Sequence, residues 1–312
     1  MNGENLLVEY KIYDHKYEWK GNFDKAKNLI ETALQELGHT KGDNGLSIYN
    51  HTCLDNLWTD ISGPILFVKP TAPTAKHFTI DDLGYANSSR LTFEEPIEYE
   101  HMYSHLNPTN HMNWNKIEAL IEEKANKWDD SIILKWKPAK NIPEDHILII
   151  GQMPLDETVN GFGFEGHFDR LRIIVDKLQT ENIVVKLHPR FKPRGKTKDI
   201  VDDWIQNDID VRTGYNSIHD FLPYTRVAII DNSTSGIECL MHEVPIISYG
   251  WPEYHWVTNK LKSLTQLKEL VIDTSWHEKD SARKFIYWYI NDYLCYDYES
   301  TKKRLIECIQ KI

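Results

Sequence analysis

Thr225–Ser248, TRVAIIDNSTSGIECLMHEVPIIS, is the stretch that decides the fold. Val227–Ile230 is a short apolar run closed by Asp-Asn-Ser, Gly236–Met241 follows with helical character, and Val244–Ser248 is a second apolar run. Strand, helix and strand in so few residues predict a crossover unit with parallel strands. The same alternation extends toward the N-terminus as strand Ile147–Ile150, helix Phe168–Leu178, strand Ile183–Leu187 and helix Ile200–Gln206. This predicts a parallel sheet wrapped on both faces, whose ligands bind beyond the strand carboxyl ends. Four chemically unusual segments follow strands and should share that rim: GQMPLDE after Ile150, HPRFKPRG after Leu187, DNSTSG after Ile230 and YGWPEYHW after Ser248.

The N-terminal part is less regular but also mixed α/β. It predicts a strand at Leu6–Tyr13, a helix at Phe23–Leu37, a strand at Pro64–Val68 and a helix at Asn115–Trp128. The first helix rests on apolar recurrence at Ala26, Ile30, Ala33, Leu34 and Leu37, between Asn22 as cap and Gly38. KPAKNIPE at 137–144 joins two prolines to mixed charges just before an apolar run, which places a domain boundary there. The two domains are then 1–140 and 141–312, and the aromatic run FIYWYINDYLCY at 285–296 has a face that can pack back on the first.

The chain has 312 residues, 36 Lys+Arg against 47 Asp+Glu, and a net charge of −11. Such an acidic balance argues against nucleic-acid binding through phosphate neutralisation, although the basic strip Lys186–Lys198 can hold a small anion. Cys53, Cys239, Cys295 and Cys308 show no metal-ligand spacing, and four are too few for a disulfide scaffold. No leader-like or membrane-spanning segment is evident, so a cytoplasmic protein is expected, with room for peripheral membrane association through the aromatic run. Ten Trp and sixteen Tyr suit carbohydrate stacking, but large cores also consume aromatics.

VVKLHPR at 184–190 is the strongest local signal. Pro189 constrains the backbone behind a buried-strand pattern, holding His188 at the rim where an imidazole can donate to a phosphate oxygen, with Lys186 and Arg190 close by. A lone His-Pro more often reads as a ring bonded to a loop carbonyl. The second segment, DNSTSGIE, changes the balance. Ser233, Thr234 and Ser235 present hydroxyls where a helix begins, and Gly236 opens a path to the backbone amides, an arrangement that binds phosphate when it is more than an N-cap. Two such segments one crossover apart favour a nucleotide-phosphate clamp. Asp156, with Gln152 on the same loop, offers a carboxylate that can attack a sugar carbon; Asp81 and Asp82 offer a second acidic group from the first domain, although any single Asp is more often a cap or turn residue. No phosphate-binding loop with Lys, dinucleotide fingerprint, Gly-x-Ser-x-Gly elbow or His-Glu-x-x-His helix occurs, and GFGFEG at 161–166 reads as a loop.

Taken together, FTIDDLGYANSS, ILIIGQMPLDETV, IVVKLHPR, SIHDFLPYTRVAIIDNSTSGIECLMHEVPIISYG and WPEYHWVT resemble, in order and spacing across about residues 60–260, the bacterial capsule-synthesis family of Kdo (3-deoxy-D-manno-oct-2-ulosonic acid) glycosyltransferases. The resemblance implies an α/β, GT-B-like fold of two Rossmann-like domains facing a central cleft, the first on the acceptor side and the second binding the nucleotide sugar. It implies a retaining, double-displacement transfer from CMP-Kdo to a saccharide or glycolipid acceptor. By position, Asp156 matches the catalytic aspartate that forms the sugar adduct, and Asp81 the acid/base, where the family usually has glutamate. His188 matches the phosphate-contacting histidine, Ser233 and Thr234 the phosphate-binding turn, and Glu238 a residue near the ribose or cytidine. Gln152, Lys186, Pro189, Arg190, Ser235 and Gly236 complete the implied donor site.

Asp81 reaches about 1.5 Å less far than glutamate, so Asp82 is a substitute. WPEYHWVT departs from the family's aromatic-Tyr-x-x-Trp-Gly pattern, which leaves contacts near Tyr254 and Trp256 open. Lys186, Arg190 or Arg194 could meet the carboxylate of the sugar. No cofactor and no metal are expected, the CMP-sugar being a co-substrate. Other readings are a CDP-glycerol-type glycerophosphotransferase, a sialyltransferase and, outside enzymes, a degenerate glycan-binding module.

Overall fold

A computed structural model describes residues 9–13, 22–52, 63–96, 98–102, 111–128, 133–154, 156–160 and 166–311. The chain forms two compact units, Met1–Glu95 with Asn126–Asp129 and Trp288–Ile312, and Pro96–Ala125 with Asp130–Tyr287. The chain therefore crosses between the units after residues 95, 125, 129 and 287, where a single boundary at 140 was expected. KPAKNIPE is stitched into the second unit: Lys137 N–H donates to Tyr215 O at 2.9 Å, Ala139 N–H to Asp220 Oδ2 at 3.0 Å, and Arg212 donates to the carbonyls of Lys140 and Asn141. Prolines and charges here mark a docked segment, because its backbone groups find partners on the unit beside it.

The first unit is built on β1 (Glu9–Tyr13), β2 (Thr40–Lys41), β3 (Leu46–Asn50), β4 (Ile65–Pro70) and β5 (Phe78–Asp81), in the order β2-β1-β3-β4-β5. Its strands are parallel except β5, which runs antiparallel to β4. Helix α1 (Asn22–Glu36) lays Ala26, Ile30, Ala33 and Leu34 on Tyr10, Ile48, Leu66 and Val68, the face its apolar spacing predicts. The same core takes Leu305 and Cys308 from the last helix, Tyr298–Ile309, whose first turn is closed by a capping box between Asp297 and Ser300.

The second unit carries β6 (His146–Ile150), β7 (Ile183–Lys186), β8 (Asp210–Arg212), β9 (Thr225–Ile230), β10 (Ile246–Ser248) and β11 (Asn259–Lys260). They lie in the order β11-β10-β9-β6-β7-β8, every pair parallel. Helices α2 (His167–Leu178) and α3 (Lys196–Gln206) bury Phe168, Leu171, Val175, Ile200 and Trp204 against the sheet, and α4 (Ser235–Met241) follows β9. Strands buried on both faces read as continuous apolar runs, which is how β6, β7 and β9 stand in the sequence. The expected helix from Asn115 is observed as His111–Glu122 and ends before Lys124, whose φ is 49°. The aromatic run becomes the end of helix Lys279–Trp288 followed by a π-helical turn, Tyr289–Tyr293. Cys53, residues 6–8 of the expected first strand and the run 161–165 lie outside the described residues.

Candidate active site

Because all strands of the second sheet are parallel, and β10, β9, β6 and β7 are consecutive neighbours, the four loops singled out above leave the sheet at one rim. Backbone contacts draw them together. Gly151 N–H donates to Lys186 O at 2.9 Å, which ties the start of the Asp156 loop to the end of β7. Asn232 N–H donates to Gln152 Oε1 at 2.7 Å, Tyr254 OH to Ser233 O, and Trp251 N–H to Asn232 Oδ1 at 2.6 Å. The loops after β6, β9 and β10 are therefore one hydrogen-bonded assembly.

Asp156 caps the single helical turn Glu157–Asn160: its Oδ1 accepts from Thr158 N–H at 3.0 Å and Thr158 Oγ1 at 2.7 Å. Oδ2 makes no hydrogen bond among the described residues. His188 is half-buried, and its Nδ1 accepts from Arg190 N–H at 3.2 Å, so the neutral ring carries its proton on Nε2. Pro189 shapes this turn, while Arg190 and Arg194 are exposed.

Lys186 differs from both arginines. It is 7% exposed at the end of β7 and forms no salt bridge among the described residues. Burial lowers its pKa from 10.5 to about 8, against the opposing charges of Asp220 and Glu238. Glu238 is itself buried on the first turn of α4.

The serine turn is more self-contained than expected. Ser235 N–H donates to Ser233 Oγ at 3.2 Å, Gly236 N–H to Ser233 O at 3.0 Å and Ile237 N–H to Thr234 O at 3.0 Å, so these amides are engaged inside the turn. The space beside Gly236 is filled by a protein group, since a Cβ there would overlap the Tyr254 ring. Glycine is required for Tyr254 to pack, and Tyr254 in turn holds the Ser233 carbonyl.

Asp81 ends β5 in the first unit and is fully buried. Its Oδ1 accepts from the backbone of Leu83 at 2.8 Å, Gly84 at 3.1 Å and Arg90 at 3.0 Å; Oδ2 accepts from Tyr293 OH at 3.5 Å and faces Arg304 at 4.0 Å. Burial raises its pKa, opposed by Arg304 and those backbone donors. A carboxylate with no exposure and this many partners binds a turn and the last helix to the sheet. Asp82 is half-buried and paired with Arg90; burial pushes its carboxyl up, but the Arg90 hydrogen bond and charge outweigh it and the pKa is lowered.

Sequence reasoning passed over Asp231, Asn232, His167 and Arg170, which form a buried polar network behind the rim. Gln152 N–H donates to His167 Nε2 at 2.9 Å, which leaves Nδ1–H to face Asp231 Oδ2 at 3.4 Å, and Arg170 donates to the same oxygen at 2.8 Å. Asp231 and Asn232 stood in the quoted DNSTSG and were overshadowed by its hydroxyls. His167 and Arg170 carried no signal beyond opening a helix. Among the described residues no group of three His, Cys, Asp or Glu is placed to hold a metal ion, and no helix is long and apolar enough to cross a membrane.

A family model described as capsule polysaccharide biosynthesis protein matches residues 80–296. No curated protein sequence matches the chain. Among solved structures it is similar to the Thermosulfurimonas dismutans KpsC beta Kdo 2,7 transferase, at 14% identity and a TM-score of 0.53 over 95% of this chain and 99% of that one. It is also similar to the KpsC beta Kdo 2,4 transferase of that organism, at 16% identity and a TM-score of 0.44 over 72% and 71% of the two chains. A third likeness is the wall teichoic acid polymerase TagF, at 10% identity and a TM-score of 0.33 over 99% and 89%. The first shows a shared fold, and with two α/β units on largely parallel sheets the chain is GT-B-like.

Proposed function

The chain belongs to the capsule polysaccharide biosynthesis protein family, and on that premise we propose that it is a retaining glycosyltransferase that moves Kdo, or a related ulosonic acid, from a CMP-activated donor to a saccharide or glycolipid acceptor. The observation that carries this reading is Lys186, a buried ammonium without an ion pair among the described residues, at the rim where His188 and the serine turn also stand. A cation left in that state favours an anionic ligand, and a CMP-ulosonate brings both a phosphate and a carboxylate.

In the proposed first step Asp156 Oδ2 attacks the anomeric carbon as the bond to the CMP oxygen breaks, and the electron pair leaves with the phosphate. Lys186 and the Nε2–H of His188 stabilise the negative charge that grows there, and preorganised donors are effective because they need no reorientation during the reaction. In the second step an acceptor hydroxyl attacks the same carbon, the sugar–Asp156 bond breaks and the hydroxyl proton passes to a base. Two inversions give net retention. The assignment of the base to Asp81, or to Asp82, comes from the resemblance. Since Asp81 is buried among its partners, Asp81→Asn should disturb stability along with activity.

The experiment is incubation with CMP-Kdo followed by intact-protein mass measurement, wild type beside Asp156→Asn. A sugar-sized increment on the wild type alone is expected. An equal increment on both proteins, or continued transfer by Asp156→Asn, would remove the nucleophile and turn the reading toward a phosphotransferase. Labelling from CMP-Neu5Ac in preference to CMP-Kdo would change the donor to a sialic acid.

A further inference from the structure

Asn232 lies two residues beyond β9, 4% exposed, and each end of its carboxamide is engaged. Nδ2 donates to Thr158 O at 2.7 Å and to Asp231 Oδ1 at 3.2 Å, while Oδ1 accepts from Trp251 N–H at 2.6 Å. Its backbone N–H donates to Gln152 Oε1 at 2.7 Å. One residue thus joins the loops after β6, β9 and β10. Turning the amide over would set donor against donor at Trp251 and acceptor against acceptor at Thr158, so only asparagine in this orientation serves both. The neighbouring backbone is shaped to it: a Cβ on Gly250 would overlap Asp231 Oδ1 and Asn232 Oδ1.

The far end of this chain of contacts is Asp156. Thr158, whose carbonyl Asn232 holds, donates its own N–H and hydroxyl to Asp156 Oδ1. A second strut runs beside it, from Asp231 through Arg170, which donates to Asp231 Oδ2 at 2.8 Å and to Val159 O at 3.1 Å. The segment needs such support. A helix of one turn has too few internal hydrogen bonds to hold its own geometry, so the direction of the Asp156 carboxylate is decided by what grips the turn from outside.

We propose that Asn232 is a positioning residue for the transfer step: by pinning Thr158 it fixes the 156–159 turn so that Asp156, with Oδ1 occupied by Thr158, presents Oδ2 as the attacking oxygen. This rests on the reading of Asp156 as the nucleophile. Asn232 itself makes and breaks no covalent bond. Its effect is on where the reacting oxygen stands, and a displacement of about 1 Å can cost about 100-fold in rate.

Asn232→Asp keeps an acceptor for Trp251 N–H, removes the donor to Thr158 O and to Asp231 Oδ1, and sets a second carboxylate beside Asp231; Asn232→Ala removes both ends of the carboxamide without adding charge and serves as the second variant. The full chain is measured in three ways: rate of sugar adduct formation from CMP-Kdo by rapid quench and intact mass, CMP affinity by calorimetry, and hydrogen exchange of the Thr158 and Val159 amides. For Asn232→Asp the adduct rate should fall about 100-fold, with CMP affinity changed less than about threefold. Exchange at 158–159 should quicken by about tenfold or more while β6 and β9 amides keep their protection. A merely structural asparagine would instead lower CMP affinity and core protection together. An adduct rate within about threefold of wild type, or unchanged exchange at 158–159 in both variants, overturns the proposal. If Asp156→Asn abolishes the adduct and Asn232→Asp does not, only the positioning role falls; if Asp156→Asn reacts like wild type, both fall. Should CMP-Kdo label no protein, the exchange measurement alone decides whether Asn232 pins the turn.

Discussion

Lys186 stands out among individual residues because its environment works against its charge. Burial has brought its pKa to about 8, so between pH 8 and 10.5 the unfolded chain holds a proton that the folded chain has released. This group's contribution to stability therefore rises with pH across that window, and below pH 8 the folded state carries the whole cost of the buried cation. Lys186→Met should be more stable than wild type at pH 7 by about 1–3 kcal/mol, with the difference shrinking as pH climbs from 8 toward 10.5. Denaturant titrations at both ends of the window check it. The same variant should bind CMP about tenfold or more weakly, and wild-type affinity should decline above pH 8; equal affinity in the variant would separate Lys186 from the ligand. Lys186 was visible in KLHPR as a basic residue near an anion site. That it forms no ion pair among the described residues was not visible, because counter-ions come from wherever the chain folds back. Gly236 teaches the same lesson: its missing side chain suggested space for a ligand, and the space belongs to Tyr254.

Among the elements, helices were the most legible. The helix from Phe168 to Leu178 was expected within one residue of its observed start, because an apolar stripe at helical spacing is written into neighbouring positions. Strands β3 and β5 were not anticipated. LSIYN is buried at every position, so it shows no alternation, and FTID pairs antiparallel at a sheet edge that only the neighbouring β4 defines. The helix Tyr298–Ile309 depends on its cap: Asp297 accepts from Ser300 N–H at 2.9 Å, and Ser300 Oγ accepts from Asp297 N–H at 3.1 Å. Asp297→Ala should lower stability by about 0.5–2 kcal/mol, read as a shift of the thermal midpoint, while CMP affinity stays at the wild-type value. A loss of CMP binding would tie this helix to the donor site.

At the scale of the whole molecule the decisive fact is that the first unit is discontinuous. Its core takes Cys295, Leu305 and Cys308 from the end of the chain, and Arg304 donates to Ile80 O at 3.0 Å. A fragment ending at residue 140, the boundary that composition suggested, would leave that apolar face uncovered. We expect it to aggregate and to show no cooperative thermal transition, whereas adding back residues 288–312 should restore one. A well-dispersed NMR spectrum from the 1–140 fragment alone would contradict this. Proline and charge near 140 mislead because they report local backbone character, and docking of that segment through Lys137, Ala139 and Lys140 is invisible to it.

The sequence by itself determined the parallel α/β class, the four rim loops and the family, since strand and helix periodicity are properties of near neighbours and the order and spacing of Asp156, His188 and the serine turn are read directly along the chain. Tertiary structure alone decided that Lys186 has no ion pair among the described residues, that Asp81 is sealed among backbone donors, and that Asn232 holds the Asp156 turn. Burial and hydrogen-bond partnership depend on groups brought together from distant parts of the chain, and no local pattern records which of them will meet.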